Sequence, residues 1–124
     1  MLDESPEAQA APLLHEYPVA DIGQVLQALA DPMRLAIVQA LAGCEGELYC
    51  GAIDLPVTKA TMTHHFRTLK FAGLISGRME GTRKYLRLRK EEVDAVYPGL
   101  LDSVLNGARA SAPAAAAEAA PAPR

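Results

Sequence analysis

Apolar positions along this chain follow a helical period in most places and a strand period in one. Ile22, Val25, Leu26 and Leu29 recur at helical spacing and predict a short amphipathic helix over Ile22 to Leu29. Ala30-Asp31-Pro32 ends it and starts the next. The Asp31 carboxylate can accept free backbone N–H groups as an N-cap, and Pro32 suits the first helical position, where no N–H partner is needed. Leu35, Ile37, Val38 and Leu41 carry this second helix to Gly43 as its C-cap. Tyr49 to Leu55 is a shorter apolar-periodic piece closed by Pro56. Thr58 is the next N-cap, and Lys59 to Ala72 the next helix, ended by Gly73. Met62, His65, Phe66 and Leu69 share one face of it; Ala60, Thr63, His64 and Arg67 share the opposite, polar face. Leu74 to Met79 and Arg83 to Leu88 read as two strands, with Glu80-Gly81-Thr82 as the tight turn. Glu91 to Asn106 is the last helix, which Pro98 should kink or restart.

The ends change character. Gly107 to Arg124 holds ten Ala and three Pro and nothing apolar larger than Ala, too little to bury against the cost of ordering. It is expected to be a disordered tail, as is the acidic, Pro-punctuated segment 1–12. That leaves one domain over 13–106, a size at which oligomerisation often helps. No apolar run approaches the ~18 residues of a transmembrane helix. The N-terminus has acids where a secretory signal has Lys or Arg, so the expected location is the cytoplasm. Two cysteines, Cys44 and Cys50, do not make a secreted disulfide framework.

Charge sharpens the picture. Residues 59–90 carry nine Lys/Arg and one acid, a local net of +8, while the remainder carries −11 and the whole chain only −3. Polyanion binding needs cations on one face rather than a basic protein as a whole. Short helices, a tight turn and a further helix with a polar outer face make a helix-turn-helix, whose second helix can enter the major groove of duplex DNA. Thr63, His64 and Arg67 are the types to reach base edges. Thr58, Lys59, Thr61 and Lys70 suit phosphate oxygens, which set register without reading sequence. The hairpin beside them adds Arg78, Arg83 and Lys84 as backbone contacts.

From about Val19 to Leu105 the chain resembles the ArsR-type (ArsR/SmtB) winged-helix repressors. Three segments carry the resemblance. Ala28 to Leu41 (ALADPMRLAIVQAL) is similar to the family's LADPTRL helix junction. Leu55 to Ile75 (LPVTKATMTHHFRTLKFAGLI) is similar to its recognition-helix signature, and Gly77 to Leu88 (GRMEGTRKYLRL) to its wing. The resemblance implies an α+β, mostly helical winged helix-turn-helix domain of about five helices and a two-stranded wing. It further implies a homodimer, paired largely through the first and last helices, that represses by occupying a palindromic DNA operator.

Members of this family often release DNA when an effector binds. The family's thiol-type metal site uses an ELCVCDL-like helix; here Tyr49 and Gly51 stand where the paired cysteines would be, and Cys50 remains. The site on the last helix needs Asp and His pairs, but no histidine follows His65. Neither metal pattern is met, and no cofactor or metal is expected at these positions. A metal at a non-standard site, with His15 and acids of a second subunit, remains an alternative. His64 is read as a DNA contact and His65 as a histidine packed under its helix. Cys44 and Cys50, six apart, are small apolar residues in one reading and a redox pair gating DNA binding in another. The effector is left unknown. Catalysis has little to stand on: there is no phosphate loop, nucleophile elbow or paired-acid motif. The rival from another class is a winged-helix module that binds a protein instead of DNA.

Overall fold

Side-chain caps define where the helices begin. In the computed structural model, which describes residues 16–111, Asp21 Oδ1 accepts from the Gln24 amide at 2.9 Å and opens α1, Ile22–Leu29. Asp31 Oδ1 accepts from Met33 and Arg34 at 2.7 and 3.2 Å and opens α2, Pro32–Ala42. Burial works to raise the Asp31 pKa, but the amides of Arg34 and Met33, with the Arg34 charge close by, outweigh it and hold the carboxyl below its ordinary value. Thr58 caps α3, Lys59–Phe71. All three helices follow the predicted pattern to within a residue of their ends.

The sheet differs from expectation. Two antiparallel strands, β2 (Ile75–Glu80) and β3 (Arg83–Leu88), form the hairpin with Glu80 opposite Arg83 and Gly81 at φ +65°. A further two-residue strand, β1 (Leu48–Tyr49), pairs with the other edge of β3, Leu48 opposite Leu86 and Tyr49 opposite Tyr85, so the order is β1-β3-β2. The expected two-stranded wing is present as β2 and β3, and β1 adds a third strand to the sheet. Two residues are too few for alternation to register in a sequence. The apolar-periodic piece from Tyr49 becomes the end of β1 and a single 3-10 turn, Cys50–Ala52, rather than a regular helix.

The last helical stretch is split. Helix α4 (Lys90–Val96) ends at Tyr97-Pro98-Gly99, Gly99 takes φ +79°, and α5 restarts over Leu100–Ala110. Pro98 therefore restarts the helix instead of kinking it. Helix α5 also runs four residues past Asn106, through Gly107–Ala110, so ordered backbone enters the start of the Ala/Pro-rich segment. Expectations for segment 1–12, for His15 and for the tail beyond Ser111 lie outside the described residues.

One core joins these parts. Val25 and Leu29 of α1, Ile37, Val38 and Leu41 of α2, Leu69 of α3, Leu74, Ile75, Leu86, Val93 and Leu101 are all buried. Helix α3 lies on this core through Phe66 and Leu69, and the hairpin follows directly from its end. The recognition face and the wing are held at fixed relative positions for that reason.

Candidate nucleic-acid interface

The buried face of α3 is His65, Phe66, Leu69 and Lys70, while Lys59, Ala60, Thr61, Thr63, His64 and Arg67 are exposed. Thr63, His64 and Arg67 follow one helical stripe, as types able to reach base edges should. Thr58 is different. Its Oγ1 accepts from the Thr61 amide at 3.1 Å and donates to Thr61 Oγ1 at 3.0 Å. Its hydroxyl is committed to the helix cap, which corrects its assignment to phosphate, whereas the Thr61 hydroxyl hydrogen stays available.

The nine cations of residues 59–90 sort into two groups. Arg78 meets Glu47 at 2.8 Å and Glu80 at 2.9 Å and lies over the Tyr85 ring at 5.0 Å. The Arg78 hydrogen bond is the main cause that holds the Glu47 carboxyl below its ordinary pKa. Arg87 pairs with Glu16 and Glu92, and Lys90 with Asp94 and Asp102. Arg89 is buried, donates to the carbonyls of Tyr17 and Gly73, and has Glu16 and Glu92 within 4 Å. Arg78 is thus clamped between carboxylates that would repel a phosphate, and its assignment to the DNA backbone is corrected. Lys59, Arg67, Lys70, Arg83 and Lys84 have no ion-pair partner among the described residues.

These five lie on α3 and the wing. Lys84 Nζ stands 5.4 Å from the centroid of Phe66, so the wing folds onto the recognition helix. Arg83 lies over the Tyr49 ring at 4.8 Å, which braces it from the otherwise unremarked strand β1. Lys70 is a third correction: it is buried, not on the open face. Burial first, then the like charges of Lys84 and Arg67, lower its pKa to about 8. Three cations with no acid among them mark a local excess of positive potential.

A contact that sequence reasoning missed orients α3. Arg34 on α2 donates to the carbonyls of Ala28 at 2.7 Å and Gln27 at 3.4 Å, at the C-terminal end of α1. Its Nη1 also meets His65 Nδ1 at 3.2 Å. A guanidinium only donates, so Nδ1 accepts and the imidazole proton sits on Nε2, 4.0 Å from Asp31 Oδ1. His65 is buried under its helix as expected, but bonded to a side chain.

Comparison with known proteins gives the family. No family model matches the chain. The uncharacterized HTH-type transcriptional regulator YceK of Bacillus subtilis is 36% identical over 83 residues, 65% of this chain and 83% of that protein. The crystal structure of a possible transcriptional regulatory protein (fragment 1–100) from Mycobacterium bovis superposes with a TM-score of 0.54 at 34% identity, covering 68% of this chain and 90% of that one. A solution structure from the same organism, described as a homodimeric winged helix-turn-helix DNA-binding domain and a possible ArsR-family regulator, has a TM-score of 0.54 at 28% identity over 90% of this chain and 94% of that one. This chain belongs to the ArsR family of winged helix-turn-helix transcriptional regulators.

In this ArsR-family chain, Tyr49 and Gly51 are used for packing. A Cβ on Gly51 would lie 2.6 Å from the Tyr49 ring, so the ring rests against bare backbone there. Cys44 and Cys50 are both half-buried free thiols. Cys44 Sγ donates to the Glu47 carbonyl at 3.3 Å, whereas Cys50 packs against the core. They line separate hollows. Among the described residues no three His, Cys, Asp or Glu side chains converge, and no single helix is long and apolar enough to cross a membrane.

Proposed function

We propose that this chain is a cytoplasmic, non-enzymatic repressor that binds a roughly palindromic double-stranded DNA operator as a homodimer. The observation that carries the reading is the sorting of charge: five cations without acid partners share α3 and the wing, while the other four in the basic segment are neutralised by acids or bound to carbonyls. Thr63, His64 and Arg67 read base edges in the major groove. Lys59, Thr61, Arg83 and Lys84 hold phosphates, and Lys70 adds its charge from behind. The homodimeric state of the solution-structure relative supports the pairing.

Selection of bound duplexes from a random pool, followed by salt titration on the recovered site, tests this reading. Two inverted half-sites about one helical turn apart are expected. Arg67→Ala should cost ~1–3 kcal/mol on the selected site and much less on random DNA. Arg83→Ala should weaken both equally and flatten the salt slope by about one unit. Recovery of no motif, with no binding at low salt, would favour a protein-binding module.

A further inference from the structure

Helix α3 borders a cleft that shares Thr63 with the base-reading stripe. It lies between the 3-10 turn, the first half of α3 and the wing, and has a volume of about 380 Å³. That falls within the ~300–1,000 Å³ of small-molecule sites. Leu55, Val57 and Met62 form half-buried apolar walls and Phe66, buried, the floor. Lys59 and Lys84 stand at its mouth against one lining acid, Asp54, a net of one positive charge. Lys84 is half-buried, and its ammonium stands 5.4 Å from the centroid of the Phe66 ring. A cation that overhangs an apolar floor and pairs with no acid among the described residues complements a ligand with an anionic head and an apolar body.

We propose that this cleft binds a small amphipathic carboxylic acid of medium chain length, and that this ligand and duplex DNA exclude one another. The carboxylate pairs with Lys84 and Lys59, and the hydrocarbon lies along Val57, Met62 and Phe66. Exclusion rests on the DNA reading above, because the same two lysines serve phosphates and Thr63 lines the cleft. A bound carboxylate neutralises the lysines and covers Thr63, so the ligand lowers DNA affinity and DNA lowers ligand affinity by the same factor.

The test is a nitrogen-15 amide titration of the full chain with octanoate, octan-1-ol and octylammonium. Saturable shifts at Val57, Met62 and Phe66 with octanoate are expected, about tenfold weaker binding of the alcohol, and none of the amine. Lys84→Met should remove the preference for octanoate over octan-1-ol. Val57→Trp, which fills the cleft, should abolish octanoate binding and leave duplex binding in place. Equal binding of all three probes, or shifts centred elsewhere, overturns the site, and this holds for wild type even if the tryptophan variant fails to fold. Octanoate should release a fluorescent operator duplex from wild type but not from Val57→Trp. Octanoate bound in the cleft with the duplex retained overturns mutual exclusion. A chain that ignores duplexes altogether defeats the DNA reading, and the octanoate titration then decides the cleft alone.

Discussion

At Lys70 the inner face of α3 places an ammonium where hydrocarbon would pack better, beside Arg67 and Lys84. Its pKa falls from 10.5 to about 8 in the folded chain, with burial the larger cause. The sign follows from proton counting. Between about pH 8 and 10.5 the unfolded chain holds a proton at this position that the folded chain has shed, so stability rises with pH across that window; below it the cost of the buried charge is present in full. Thermal and urea melts at pH 7 and pH 10 should show wild type gaining on Lys70→Met by up to about 2 kcal/mol. A gap that does not move would mean the lysine is well solvated. Gly73 carries a different constraint. It takes φ +79° between α3 and β2, and a Cβ there would lie 2.5 Å from the Pro18 carbonyl and 2.6 Å from Val19 Cα. Backbone cannot swing aside as a long side chain does. Gly73→Ala should therefore destabilise by at least ~1–3 kcal/mol, read as a lower urea midpoint with an unchanged m-value.

Helices and hairpin were legible in the sequence because each carries its own local signal. Asp31-Pro32 announces the start of α2, Thr58 that of α3, and Gly81 the turn, all through contacts a few residues long. The same locality explains the misses. Strand β1 exists because Leu48 and Tyr49 meet Leu86 and Tyr85, far along the chain, and two residues hold no period of their own. Lys70, Arg78 and Thr58 have the chemistry of phosphate contacts; only their surroundings — burial, Glu47 and Glu80, the cap — remove them. Arg34 is the instructive case. Its place in the helix junction was visible, but its role was not, since one guanidinium closes the carbonyl end of α1 and reaches His65 on α3. The interaction ties the junction to the recognition helix. Arg34→Met, which keeps the apolar stem, should cost about 1.5–3 kcal/mol in urea unfolding. It should also weaken operator binding although Arg34 touches no base, because His65 then loses the partner that orients α3. Unchanged stability would reduce the contact to a surface ornament.

Across the whole molecule, segregation of charge and exposure of apolar surface point to the same assembly. Several acids outside residues 59–90 neutralise cations at the base of the wing, so within that segment the cations without acid partners among the described residues gather on α3 and the wing. Meanwhile Ile22 and Leu26 on α1 and Val96 at the end of α4 remain 44%, 47% and 50% exposed. A domain this small gains from covering such residues with a second copy. Pairing about a two-fold axis would set two α3 helices about 34 Å apart, one turn of duplex, and convert two weak half-site contacts into one strong one. In such an interface every substitution counts twice. Burial of one Leu is worth at least ~1.5 kcal/mol, so Leu26→Glu should weaken the dimer by two orders of magnitude or more. Sedimentation equilibrium would read that loss directly, and operator affinity should fall with it, while affinity for a single half-site is preserved. A variant that stays dimeric, or loses half-site binding in equal measure, would show that α1 serves the domain's own fold and that subunits meet elsewhere.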